Sequence, residues 1–182
     1  DGLNYTLYSK SELSRSKKAF HCETEESISA NKEKKSARGK VATDGKLRTF
    51  RLALACTGEY AQFHLADQGI PDSASDVEKK TAVLSAMYVT LTRINAIYER
   101  ELALTLELVA NNDQLVFLNP ATDGLTNNNV RSMLDEIQEI CDANIGFLMY
   151  DIGHVFARGN SSGVAELASP CTSRKAQGVT RT

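Results

Sequence analysis

Arg48-Thr-Phe-Arg-Leu-Ala-Leu-Ala-Cys56 is the stretch that decides the fold of this chain. Asp44-Gly45 precedes it and Thr57-Gly58 follows it, so turn-forming pairs confine the run to the length of a strand. From Leu52 to Cys56 it is continuously apolar, without the polar alternation of a strand that keeps one wet face. That pattern predicts an interior strand covered on both sides.

Working outward, Pro71-Asp72 signals the start of a long helix, with Asp72 or Ser73 as its cap and Asp76 and Glu78 in its opening turns. Leu84, Met87, Leu91, Ile94 and Tyr98 recur at spacings of three and four and define its buried face. The period then changes to two. Leu102, Leu104, Leu106 and Leu108 alternate with Ala103, Thr105, Glu107 and Val109, which predicts a strand. A second short strand is expected at Gln114 to Leu118, ended by Asn119-Pro120. A second helix should begin between Thr126 and Asn129, with Val130, Leu134, Ile137 and Cys141 as its buried stripe. Phe147 to Phe156 reads as a third strand region. Ser161 to Leu167 and Lys175 to Thr180 read as short extended pieces around Pro170-Cys171. Strands interleaved with helices imply an α/β layer structure with a mixed sheet.

The chain has 182 residues, 42% of them hydrophobic and 24% charged, which suits one domain with a core and a flanking segment. A net charge of −2 gives no global attraction to nucleic acid or anionic membrane, and no apolar run is long enough to span a bilayer. Residues 9 to 46 differ from the rest: they are rich in Ser, Lys and Glu, with little periodicity, and read as a solvated linker or loosely held arm. Their lysines lie beside an acidic run without interleaved aromatics, which argues against a nucleic-acid patch. Tyr5 to Tyr8 could form a short strand.

Chemistry is sparse. Cys22, Cys56, Cys141 and Cys171 are too far apart for a C-x-x-C knuckle; two disulfides in an oxidising compartment would fit, but spacing selects no pairing. Cys56, inside the apolar run, reads as a buried free thiol. His21, His64 and His154 are isolated from one another. No H-E-x-x-H occurs, the arrangement that aims two imidazoles at one ion with a glutamate as base. The residues themselves therefore supply no catalytic group and no metal ligand set. Asn111-Asn112-Asp113, Asn119 and Asp123 offer oxygens to a candidate calcium ion, but their spacing is not that of an EF-hand and suits turn formers better. His154 reads as a half-exposed strand histidine.

Five segments carry a family resemblance: Arg48 to Tyr60, Arg93-Ile-Asn-Ala-Ile-Tyr-Glu-Arg-Glu-Leu-Ala103, Val109-Ala-Asn-Asn-Asp113, Leu118-Asn-Pro-Ala-Thr-Asp123 and Tyr150-Asp-Ile-Gly-His-Val-Phe156. Together they resemble the reprolysin-like (adamalysin-type) metallopeptidases of the metzincin clan, bacterial branch. The resemblance implies a twisted, mainly parallel sheet with flanking helices, the N-terminal part of a metzincin catalytic domain. It implies one antiparallel edge strand, to which a peptide substrate adds as a further strand. The matching residues are Ser162, Gly163, Val164 and Ala165.

It further implies a zinc helix, H-E-x-x-H-x-x-G-x-x-H, after the strand at Lys175 to Thr180. No residue of this sequence matches that helix. The expectation is thus a fragment: residues 1–46 a propeptide tail or linker, residues 47–182 an incomplete N-terminal subdomain. The parent would be a secreted zinc metalloendopeptidase acting through a metal-activated water, its partners extended peptides and neither nucleic acid nor membrane. The fragment alone would be inactive, with Cys22 a candidate latency thiol. The alternative is a non-catalytic, metzincin-like peptide-binding or structural module.

Overall fold

A computed structural model describes residues 20–24 and 45–182. The Tyr5 to Tyr8 strand, the lysine-rich clusters and most of the 9–46 arm lie outside these described residues. In chain order the elements are β1 (His21–Cys22), β2 (Arg48–Cys56), α1 (Gly58–Asp67), α2 (Asp76–Leu102), β3 (Leu104–Leu108), α3 (Val130–Asn144), β4 (Ile152–Ala157), β5 (Ser162–Ala165) and β6 (Gly178–Arg181). Two short 3₁₀ turns, Asn112–Leu115 and Phe147–Met149, precede α3 and β4 respectively. No described helix is long and apolar enough to cross a membrane.

Six strands form one sheet in the order β1-β5-β6-β4-β2-β3. The pairs β2–β3, β2–β4, β4–β6 and β1–β5 are parallel, and β5–β6 is antiparallel. The sheet is mixed and mainly parallel with helices on both faces, as the sequence pattern and the resemblance both imply. Strand β2 lies inside it. Leu52, Leu54 and Cys56 pack toward α1 and α2 with Tyr60, Met87, Leu91 and Phe156. Ala53 and Ala55 pack toward α3 with Met133, Ile137, Cys141 and Val155. Leucines facing one helical layer and alanines facing the other explain why the run reads as unbroken apolar sequence.

Local sequence sets most of the helix ends, though not always where expected. The cap of α2 is Ser75 rather than Asp72 or Ser73. Its hydroxyl accepts from Glu78 N while the Glu78 carboxylate accepts from Ser75 N, a reciprocal box that the earlier candidates cannot form. At its other end α2 runs through Leu102, and Ala103 turns the chain at φ 51, so β3 starts two residues after the alternating leucines suggest. Helix α1 was not anticipated. Thr57 caps it by accepting from Tyr60 N, and Gly69 at φ 66 follows its end. Helix α3 starts where expected, with the Asn129 side-chain oxygen Oδ1 accepting from the amides of Arg131 and Ser132.

Two expected strands are corrected. Gln114 to Leu118 is not a strand: it enters from the 3₁₀ turn and contributes a single bridge, Cys56 to Val116. Asn112 takes the place of strand pairing there, its side-chain amide donating to Leu54 O at 2.8 Å and accepting from Leu54 N at 2.9 Å. The Lys175 to Thr180 strand begins only at Gly178, because Lys175 is buried in a turn, where its ammonium donates to the carbonyls of Phe147 and Tyr150.

Replacing Asn112 by Leu would orphan both buried polar groups of Leu54 and is expected to cost about 3 kcal/mol in urea unfolding. Removing the α2 cap with Ser75→Ala should cost about 1 kcal/mol in the same assay.

Candidate functional site

A sheet has two edges, each a row of main-chain groups able to pair with another chain. The two edges of this sheet are treated differently. On β3 the edge is closed from within. Asn95 of α2 accepts from Leu106 N at 2.9 Å and donates to Leu106 O at 2.8 Å, and the Thr105 hydroxyl donates to Glu99. A helix side chain thus occupies the Leu106 pair, main-chain groups that an incoming strand would need.

The β5 edge does the opposite. Here a segment of the chain has added as a strand: His21 N donates to Ser161 O at 2.9 Å, and Glu23 N donates to Gly163 O at 2.7 Å. Thr24 Oγ1 accepts from Ala165 N at 3.1 Å, and Arg131 donates to Glu23 O at 3.2 Å. The register pairs His21 with Ser162 and Cys22 with Gly163. The strand expected to be outermost is therefore covered by β1, and the 1–46 arm contains a sheet strand. Two residues of strand inside a polar segment leave no periodic signal to read.

Within β5, Val164 faces the α3 core and Ser162 lies on the same side, its hydroxyl buried without a protein partner among the described residues. Gly163 is turned to the opposite face, where its register partner on β6 is Thr180. Pairing with β6 ends at Ala165, ahead of Pro170, which has no amide to donate. The return loop is then pinned by Glu166 N donating to Gln177 O at 2.9 Å, an Arg174–Glu166 ion pair at 2.9 Å and the buried Lys175.

Gly163 shares its face with His154, Phe156 and Thr180, beside an open apolar groove of about 450 Å³ between the sheet and the C-terminal half of α2. His154 Nε2 is 3.0 Å from Thr180 Oγ1, and Gly178 makes room for the ring, since a Cβ there would lie 2.5 Å from His154 Nδ1. The half-exposed reading of His154 is close: it is half-buried, and burial pushes its pKa down to about 4. His64 sits in α1 between the rings of Tyr60 and Phe63, and desolvation lowers its pKa as well. His21 lies on the added strand.

The described residues contain no group of three or more His, Cys, Asp or Glu side chains that could hold a metal ion. They therefore do not fit a zinc centre. Three of the five residues considered for calcium hold main-chain groups: Asp123 accepts from Gly58 N and Leu125 N, Asn119 accepts from Ala121 N, and Asn112 serves Leu54. All four cysteines are free thiols; Cys56 and Cys141 are buried, with pKa values pushed up to about 12 by desolvation, and Cys22 and Cys171 are exposed.

A profile of the family described as Metallo-peptidase family M12B, Reprolysin-like, matches residues 84–182, more than half of the chain. The chain belongs to the reprolysin-like metallopeptidases. No match was found among curated proteins. The family match spans the second part of α2 through β6, and so includes β5 and the sheet face beneath it. Strand β2, α1 and the added β1 lie outside it.

His154 gives this reprolysin-like face a pH dependence. The unfolded chain binds a proton on this imidazole near 6.5, whereas the folded chain does so only near 4. Its contribution is complete above about pH 6.5 and is lost as pH falls toward 4. His154→Gln should flatten the stability profile across that window, by roughly 2 kcal/mol between its ends, measured by urea unfolding at each pH.

Proposed function

We propose that this chain supplies the sheet scaffold and the substrate-cleft edge of a secreted zinc metalloendopeptidase. One observation carries the reading: in a chain of a metallopeptidase family, the β5 edge already takes an extended segment through main-chain hydrogen bonds. A peptide substrate would use the same groups, with Ser161 O and Gly163 O accepting and Ala165 N donating. The residues assigned to this edge are Ser162, Gly163, Val164 and Ala165. A zinc-bound water would supply the hydrolytic chemistry in the parent enzyme. Neither an H-E-x-x-H nor a converging ligand set occurs in this sequence or among its described residues, so no hydrolytic step is assigned to its side chains. Their part is to bind and orient an extended partner.

Residues 1–46 are proposed as a propeptide tail, with Cys22 as a latency thiol. Two features support this. The segment occupies the edge that a substrate needs. Register with Gly163 also turns the exposed Cys22 thiol toward the face of Thr180 and His154. A second reading, a peptide-binding module without catalysis, draws on the same edge and on the lack of a ligand set.

The purified 182-residue chain is expected to show no chelator-sensitive cleavage of casein; reproducible cleavage would overturn the assignment of hydrolysis to residues outside it. The coding sequence beyond Thr182 separates the two readings. An in-frame H-E-x-x-H-x-x-G-x-x-H supports the peptidase, and a stop codon or replaced histidines supports the binding module. In a full-length precursor, Cys22→Ser should release activity, and latency equal to wild type would remove the thiol from the scheme.

A further inference from the structure

The Phe20–Thr24 segment fills the peptide edge with its own side chains, and one of them identifies what that edge accepts. Gly163, at the middle of β5, does not have the positive φ at which glycine is specially favoured. What glycine contributes there is space. A Cβ on Gly163 would stand 3.0 Å from Phe20 Cζ and 3.0 Å from Val179 O, tighter than ordinary carbon contacts. An aromatic ring laid across a glycine of a neighbouring strand restores the side-chain contact that the glycine lacks. Behind the glycine, Thr180 has its hydroxyl engaged by His154, so an apolar ring leaves no hydroxyl unpaired there.

We propose that Gly163 forms an aromatic-accepting subsite of the peptide edge, filled in this structure by the chain's own Phe20, and that preferred peptides carry an aromatic side chain two residues before the one that pairs with Gly163, as Phe20 stands two before Cys22. The proposal rests on the reading of β5 as the peptide-binding edge. Phe20 remains 59% exposed, so the subsite is open outward and admits the larger rings of Tyr and Trp.

The first test is hydrogen exchange on the whole 182-residue chain, read at the Glu23 amide bonded to Gly163 O, with the Val155 amide as the reference for folding. Phe20→Ala and Phe20→Leu should lower Glu23 protection about two- to fivefold, whereas Phe20→Trp keeps it. Gly163→Ala should lower it more in wild type than in the Phe20→Ala background, where only the Val179 O contact remains. Equal protection in the Ala, Leu and Trp variants overturns the subsite, and the Phe20 series decides the matter even if Gly163→Ala fails to fold.

The second test clears the edge with His21→Pro and Glu23→Pro, which remove the two amides that hold the arm. The capped peptides Phe-His-Ser-Glu-Thr and Ala-His-Ser-Glu-Thr are then titrated against the Gly163 and Ala165 amide resonances. The Phe peptide should bind about two- to fivefold more tightly. Equal binding would overturn the aromatic subsite and leave the peptide edge standing. Binding of neither peptide would overturn both.

Discussion

Strand β2 can exist only if it is covered on both faces, and the rest of the structure follows from that requirement. Its leucines and its alanines face opposite helical layers, so the chain must supply α1 and α2 on one side and α3 on the other. Its two neighbours, β3 and β4, satisfy its main chain on either side. Where neighbouring strand no longer reaches, the Asn112 side chain completes Leu54. A polar main-chain group left unpaired at this depth would cost more than one leucine contributes by burial. The residues beyond the strand serve the same centre: Thr57 caps α1, and the Asp123 carboxylate accepts from the Gly58 amide.

The two edges of the sheet are unequal. Asn95 closes β3 from within the fold, whereas β5 pairs its outer side with a segment distant in sequence. The reversal of β5 relative to β6 places a hairpin-like pair at that end, pinned by Lys175 and by the Arg174–Glu166 pair. A strand held so firmly on its inner side is a rigid template on its outer side. Main-chain pairing at such a template is indifferent to side-chain identity, and selectivity falls to the few positions where a side chain meets the strand face. Gly163 is the position we propose for that role.

Much of this was legible in the residues, for stated reasons. Arg48–Cys56 is a strand over the expected residues because turn pairs bound it and both of its faces are apolar. Helix α3 keeps its start and most of its stripe, with Met133 taking the fully buried place and Leu134 only partly buried. The acidic residues of α2 were placed in its first turn, but its cap depends on which serine can exchange bonds with a glutamate three residues on. Helix α1 was legible in principle from Thr57 and Gly69, yet Tyr60 and Ala61 alone make a weak apolar stripe. Gln114 to Leu118 reads as a strand because Leu115 to Leu118 is a short apolar run ended by Asn119-Pro120, but the Asn112 side-chain amide takes the pairing it would have offered.

By itself, then, the sequence determined the elements whose signals are local: the doubly buried strand, the periodic helices, the absence of a histidine-rich metal motif and the reprolysin-like segments. Periodicity is a property of neighbours along the chain, and residue order reports it directly. Tertiary structure decided the rest. That Phe20–Thr24 belongs to the sheet, that Asn95 closes one edge, and that Gly163 lies against an aromatic ring are contacts between residues far apart in the chain. Only the fold sets those distances, because a two-residue strand or a single amide has no period to betray it.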